Sequence, residues 1–344
     1  MPESNMVPAF AVVPGRQILE ILQGRHGAVV DIIEAAYRLH GTGETVNPPS
    51  YFLRFPDRPA ERIIALLASL GGDGAVDGIK WISSFPGNVA TGLPRASAVL
   101  ILNDPATGFP MACLEASVIS ASRTAASAAL AARHLTRTRT LPRRLGVIGA
   151  GLISRYVCDY LSGTGWSFDE IGIFDVSPKH ADGLAGHLRQ AAGGTPVAVR
   201  DSCEKVVREH DLVLLTTTAG TPHLLDPGWF AHHPTVLHLS LRDLSPDVVL
   251  ASTNVVDDVD HCLREGTSLH LAEQRMGHRE FVHATLYDVL TGRWQPPPDR
   301  TLVFSPFGLG VLDLALGKFV YETVRAAGRL AVVDDFFHEL RRYG

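Results

Sequence analysis

LGVIGAGLIS, from Leu145 to Ser154, is an apolar strand pattern that ends in glycines and runs on into a helical one, ISRYVCDYLSG. Glycines at such a junction allow a tight turn and close approach of the backbone to a pyrophosphate, and the helix N-terminus offers partial positive charge to it. The next apolar run, EIGIFDV, ends on Asp175. A carboxylate there accepts hydrogen bonds from ribose hydroxyls and repels a 2′-phosphate. The pattern therefore points to a dinucleotide site that takes NAD in preference to NADP, with Gly149 and Gly151 at the turn and Asp175 at the ribose. The third small position is Ser154 in place of Gly or Ala, which is expected to loosen helix-to-strand packing slightly.

Downstream, short apolar runs recur at PVAV, at DLVLLTTT (Asp211 to Thr218), at TVLHLSL (Thr235 to Leu241) and at TNVV. Strands alternating with crossovers imply an α/β fold, a Rossmann-type doubly wound parallel sheet. Upstream the grammar changes. SYFLRF alternates with period two, GIKWISSF follows, and ASAVLILND is separated from FPMACLEA by an ATG turn, which reads as antiparallel pairing in a second, α+β domain. Pro142 and the basic stretch RHLTRTRTLPRR mark the passage between the two, and GRWQPPPDR is a Pro-rich connector. The helical run VLDLALGKFVYETVRAAG beyond it is expected to return to the first domain. The division expected is 1–140 with 302–344, and 141–301.

At 344 residues, with 19% charged and 46% hydrophobic residues, the chain is long enough for two packed domains and too apolar for bulk disorder. Lys plus Arg number 31 against 36 Asp plus Glu, a formal charge of -5, with no basic cluster, so no nucleic-acid partner is expected. The N-terminal MPESNMVPAFAVVPGRQ lacks a basic stretch followed by an apolar one, and no run is long and apolar enough to span a bilayer, so a soluble cytoplasmic protein with no membrane partner is expected. Four scattered cysteines without a CxxC pair suit reduced thiols, and no structural zinc or other metal is expected.

Arg123 is the one charged residue between Glu115 and Arg133, in a helical stretch made mostly of Ala and Ser. A guanidinium buried there needs an anionic partner, either a substrate carboxylate or the cofactor; on the Ser120/Thr124/Ser127 face it would instead meet solvent. Lys80 in GIKWIS and Arg54 in YFLRF sit among large apolar side chains, where their heads either snorkel to water or meet an anion. Three such cations in one domain make a clamp for an amino acid's carboxylates. Asp243 follows the run LHLSL at the edge where α/β sheets place ligands, as an acid/base, an ammonium anchor or an ordinary loop carboxylate. The cluster DDVDH, Asp257 to His261, looks metal-like, but adjacent residues on a strand point to opposite faces and cannot all reach one ion, so strand-end hydrogen bonding is expected of it.

The stretches IKWISSFPGN, GLPRASAVLILNDPATGFPMACLEASVISASRTAASAALAARHL, LGVIGAGLIS and VFSPFGLGVLDLALGKFVYE resemble the ornithine cyclodeaminase/mu-crystallin family, from about Arg54 to Glu322. NPPSYFLRFP, the Trp and two serines after Lys80, and HLSLRD with NVVDDVDHCLRE are most similar to its 2,3-diaminopropionate biosynthesis branch. The resemblance implies a homodimer whose first domain binds substrate and dimerises while the second holds NAD. It also implies oxidative cleavage of N-(2-amino-2-carboxyethyl)-L-glutamate to 2-oxoglutarate and 2,3-diaminopropionate, in siderophore or peptide-antibiotic biosynthesis. By the same resemblance Arg54, Lys80, Asn88, Arg123 and Arg242 face substrate, with Lys80 and Asp243 as the catalytic pair. Arg95, Leu152, Ile153, Thr217 and Gly308 fall at cofactor-facing positions, and Arg123 contacts substrate or cofactor. Two departures stand out: Leu152-Ile153 replaces the cyclodeaminases' Ala-Gln pair, and SLRDLSPD replaces their glycine-rich aspartate loop. An ornithine cyclodeaminase, another NAD-dependent amino-acid dehydrogenase, and a non-catalytic ligand-binding protein remain the alternatives.

Overall fold

The antiparallel grammar upstream of Pro142 supplies most of a sheet that has eight strands among the described residues, seven from upstream and one from beyond Leu309, in the first of two units, which comprises the chain up to Arg123 and again from Leu309. A computed structural model describes residues 8–191 and 194–338, so residues 1–7 of the N-terminal stretch read for export signals lie outside it. In chain order the first unit contains β1 (Phe10–Val13), α1 (Gly15–Leu22), α2 (His26–Gly41), β2 (Thr45–Val46), β3 (Tyr51–Phe55), β4 (Arg58–Leu70), β5 (Val76–Ser84), β6 (Ala96–Asn103) and β7 (Pro110–Glu115). The helix α3 (Ser117–Leu135) carries the chain across the division, which falls between Arg123 and Thr124.

The 13-residue β4, RPAERIIALLASL, is a strand that alternation does not reveal. Ala68 and Leu70 point to the buried face while Leu67 is exposed, so apolar residues occupy both faces and the period-two signal disappears. β4 pairs with β3 on one side and β5 on the other, and β5 to β6 to β7 continue as antiparallel neighbours.

The second unit holds β8 (Arg144–Ile148), α4 (Leu152–Gly163), β9 (Glu170–Phe174), α5 (Pro178–Ala191), β10 (Val197–Val199), α6 (Cys203–Glu209) and β11 (Leu212–Leu215). It continues with β12 (Thr235–His238), α7 (Pro246–Ala251), β13 (Thr253–Val256), α8 (Val259–Cys262), α9 (Ser268–Met276), β14 (Val282–Thr285), α10 (Leu286–Thr291) and β15 (Leu302–Phe304). Its eight strands are all parallel, in the order β10-β9-β8-β11-β12-β15-β13-β14. Every residue of β11, β12, β13 and β15 is buried, as a sheet covered on both faces requires.

Both boundaries differ from the sequence expectation: the first falls within α3, between Arg123 and Thr124 and not at 140/141, and the second falls after Gly308 and not after residue 301. Residues 302–308 do not return to the first unit, because β15 inserts between β12 and β13 and is buried there throughout. The return begins at α11 (Gly310–Ala326), which packs on β4, β5 and β6 and against α2, followed by β16 (Ala331–Val333) beside β1. Gly317 sets how close α11 lies: a Cβ there would meet Leu100 Cδ2 at 2.2 Å. Asp313 is thereby carried onto the sheet face that holds Lys80.

Candidate active site

Alternation along β5 turns Lys80 to the helix-covered face and Trp81 to the opposite one. Lys80 Nζ lies 2.6 Å from Asp313 Oδ2 and 3.4 Å from Ser120 Oγ, and Arg123 Nε lies 3.3 Å from Asp313 Oδ1. The Lys80 side chain is 2% exposed, Arg123 12% and Asp313 0%. Two cations thus share one carboxylate in a dry environment, which leaves one positive charge unmatched. Burial pulls the Lys80 ammonium down to about 8; Asp313 opposes that shift and Arg123 adds to it.

The anion that Arg123 meets in this structure is Asp313, a residue that sequence reasoning missed. The signal was available, since Asp313 is the one charged residue between Arg300 and Lys318.

By register, Arg54 opposite Arg62 and Ser84 forms a cross-strand row on the same sheet face as Lys80, about 13 Å along the strands. Arg54 is exposed, its guanidinium 4.9 Å from the centre of the Phe52 ring. Arg95 donates to Ser84 Oγ at 2.8 Å, and burial lowers its pKa. Asn88 is exposed and donates its side-chain amide to the Pro94 carbonyl at 3.2 Å.

In the second unit, Gly149 takes a φ of 91°, and a Cβ on it would lie 2.9 Å from the Thr216 backbone. Ser154 does not loosen this turn. It is buried, and its hydroxyl donates to the Gly149 carbonyl and meets Thr216 Oγ1, so the turn is tied to the end of β11. Gly151 caps the 12-residue α4 without a side-chain bond and has nothing within 4 Å of where its Cβ would be. Leu152 is half-exposed and Ile153 intermediate, so open space lies over an uncapped helix N-terminus. That is what a pyrophosphate requires. Asp175 sits at the end of β9 as expected, its two oxygens accepting from Ala150 N and Ser177 N at 2.7 Å each.

Thr217, next along the chain, donates its hydroxyl to Asp243. Asp243 is fully buried and also accepts from Ser240 Oγ, with His223 Nε2 3.2 Å away. The isolated parallel bridge Leu224–Leu244 brings His223 alongside, and the Asp243 carbonyl accepts from His223 N at 3.0 Å. Burial alone would raise the Asp243 pKa; hydrogen bonding from His223, first, and from the Ser240 and Thr217 hydroxyls reverses that and holds it below the ordinary value, and His238 adds to this only where its ring is protonated. The His223 imidazole is raised to about 9, chiefly by its hydrogen bond to Asp243 and then by the Cys203 thiol. His238, behind Asp243, is pushed down to about 4 by burial. His223, Ser240 and His238 were not anticipated, because they join Asp243 through strand ends and a bridge that no spacing rule encodes.

Arg242 does not point its charge at open space; it donates to the carbonyls of Glu265 and Gly266. Gly308 N donates to Asp257 Oδ2 at 2.7 Å, Asp258 caps α8 by accepting from His261 N, and Asp260 pairs with Arg279, so the DDVDH cluster runs from the end of β13 into a helix and does not lie on a strand. A cavity of about 630 Å³, lined in part by Arg143, Arg144, Asp169 and Asp211, lies at the opposite, N-terminal edge of the parallel strands. Its arginines are paired, Arg143 with Asp169 and Arg144 with Asp211.

The sequence profile of the ornithine cyclodeaminase/mu-crystallin family matches residues 17–328. The chain belongs to this family. The resemblance read from the sequence is borne out, as is the α/β fold with its parallel sheet. Among relatives, N-((2S)-2-amino-2-carboxyethyl)-L-glutamate dehydrogenase of Staphylococcus aureus (strain NCTC 8325 / PS 47) is 29% identical over 89% of this chain and 93% of its own. An archaeal alanine dehydrogenase dimer with bound NAD superposes with a TM-score of 0.85 at 25% identity, covering 95% of this chain and 100% of that one. Thermococcus litoralis Δ1-pyrroline-2-carboxylate reductase, in complex with NADH and L-proline, shares the family fold with a TM-score of 0.87 at 23% identity, over 94% and 100% of the two chains.

Proposed function

We propose that this family member is an NAD-dependent dehydrogenase that oxidises the secondary amine of N-(2-amino-2-carboxyethyl)-L-glutamate. The products are 2-oxoglutarate and L-2,3-diaminopropionate, with one water consumed and one NADH and one proton formed. The observation that carries the reading is the buried pair of cations on a single carboxylate, Lys80 and Arg123 on Asp313, on the sheet face that also bears Arg54. A substrate with three carboxylates matches such a surface better than a one-carboxylate amino acid does. The 29% identity to the Staphylococcus enzyme over most of both chains supports the same choice.

In the first unit, Lys80 and Arg123 hold a carboxylate against their unmatched charge, and Arg54 receives a second one. In the second unit, the amides of the Gly149-to-Ser154 turn with Leu152 and Ile153 would hold a pyrophosphate, and Asp175 a ribose. NAD bound there supplies the hydride acceptor. Asp243, kept ionised by its donors, takes the proton of the attacking water and returns one to the departing nitrogen. Arg242 is committed to backbone carbonyls and has no part in this scheme.

The protein acts as a homodimer in the cytoplasm, and its product feeds siderophore or peptide-antibiotic assembly. The face of the first sheet opposite Lys80 supports the dimer, since it exposes Tyr51, Trp81 and Val99.

The test is NADH absorbance when protein and NAD+ meet N-(2-amino-2-carboxyethyl)-L-glutamate, with alanine, glutamate and ornithine in parallel and products identified by mass spectrometry. NADH with 2-oxoglutarate and diaminopropionate is the expected result. NADH from alanine alone, or proline from ornithine without net NADH, would overturn the substrate assignment.

A further inference from the structure

We infer that His223 is the positioning residue of Asp243: its imidazolium, fixed by the chain around it, keeps that buried carboxylate ionised and aimed for proton transfer. The inference rests on the reading of Asp243 as the acid/base of the proposed amine oxidation, and goes beyond it by naming the group that sets its protonation state.

A fully buried carboxylate loses its hydration and reverts to the neutral acid unless charge or hydrogen bonds replace the water. Thr217 and Ser240 supply neutral hydroxyl donors, one to each Asp243 oxygen. His223 supplies the charge, with Nε2 3.2 Å from Asp243 Oδ1. His238 cannot share that task, because Asp243 N donates to its Nε2 at 3.4 Å and its Nδ1 meets Ser305 Oγ at 2.9 Å, an arrangement that suits a neutral ring. The Cys203 thiol is the other titratable group on the His223 ring.

The His223 side chain is 33% exposed while Asp243 is not exposed at all, so His223 is the member of the pair that exchanges protons with bulk water. The imidazole's raised pKa, to about 9, agrees with that placement and makes the ring cationic at neutral pH. Backbone bonds hold the geometry independently of the ring. His223 N and Leu224 N both donate to the Asp243 carbonyl, and Ser245 N donates back to Leu224 O. Replacing the imidazole therefore removes charge without removing the bridge.

The experiment pairs His223→Gln with Asp243→Asn. Imidazole NMR of the full-length protein, with His223 assigned from the variant that lacks it, is expected to show the ring titrating well above pH 6.5 and moving down in Asp243→Asn. In turnover, His223→Gln is expected to lower kcat more than it changes KM. Its acid limb should move up by about one to three pH units as Asp243 loses its cation, and the alkaline limb near pH 9 should disappear. A His223 that titrates near 6.5 in the wild-type protein, or an activity loss in His223→Gln with both limbs unmoved, would overturn the proposal. A wild-type protein inert toward N-(2-amino-2-carboxyethyl)-L-glutamate would remove the substrate assignment alone, because the NMR titration reads the His223–Asp243 pair without turnover.

Discussion

Lys80 gives up nearly all of its water on folding, and an ammonium so placed is tolerated only where a partner replaces that hydration. Asp313 is the replacement, and it serves Arg123 as well. Asp313→Asn is therefore expected to leave Arg123 facing a neutral amide, to drive the Lys80 ammonium further toward its neutral form, and to destabilise the fold by about 3 kcal/mol or more at pH 7, read by urea unfolding. The sign of the pH dependence follows from the lowered Lys80 pKa. Its folded-state value of about 8 lies below the ordinary 10.5, so the stability tied to neutral Lys80 is present above 10.5 and lost as pH falls through 8. By pH 9 the wild-type ammonium is mostly discharged, so the variant's deficit should be smaller there than at pH 7. An equal deficit at both pH values would mean that Asp313 is not what balances Lys80. Arg123→Ala should keep the fold and lower kcat/KM by roughly 100-fold or more, since a lost charge-assisted carboxylate contact is felt in the transition state. Near-normal turnover would remove Arg123 from the substrate clamp. Both cations were legible because each is an isolated charge in an apolar run. Asp313 carries the same signature, but it sits in a helix whose pattern reads as packing, and only the fold shows that α11 lays it across β5.

At the scale of elements, the turn between β8 and α4 separates two kinds of glycine. Gly149 holds a φ of 91° with its missing Cβ pressed on Thr216, so Gly149→Ala is expected to cost about 1–3 kcal/mol in thermal or urea unfolding and to weaken NAD binding through the displaced turn. Gly151 has an ordinary φ of -85° and open space around it. Gly151→Ala should therefore leave stability within about 0.5 kcal/mol of wild type while weakening NAD, because its methyl group enters the volume over the helix N-terminus. Calorimetric titration of NAD beside an unfolding curve separates the two, and a Gly151→Ala variant with unaltered affinity would move the pyrophosphate elsewhere. This turn was legible because all its signals are local: an apolar strand, the glycines, a helix, a carboxylate at the next strand end. β4 was not, since both of its faces are apolar, and β15 was assigned to the wrong unit because the insertion of a strand between β12 and β13 leaves no trace in nearby residues. The Asp243 cluster failed for the same reason on a smaller scale, its members meeting through the Leu224–Leu244 bridge.

For the whole molecule, the question is what covers the outer face of the first sheet. Cross-strand register aligns Tyr51, Ala65, Trp81 and Val99 in one row over β3, β4, β5 and β6, and Leu67 with Ile79 and Ile101 in the next. Tyr51 is 64% exposed, Trp81 43%, and Leu67 and Val99 are both exposed as well. A contiguous apolar patch of this kind marks an association surface, and the two-fold pairing of like faces is the commonest way to bury one. Trp81 sits near the middle of the row, where a charge would be desolvated and left without a partner. Trp81→Glu is therefore expected to convert the proposed dimer to a monomer in sedimentation velocity at micromolar concentration, with the far-UV spectrum unchanged because the side chain leaves the helix-covered core untouched. Alternation along β5 makes the result informative about function too. Trp81 and Lys80 are neighbours in sequence on opposite faces, so a monomer that still forms NADH would show that the cation cluster needs only its own chain, and a folded but inactive monomer would show that it needs the second copy. A Trp81→Glu protein that stays dimeric would place the contact away from this sheet.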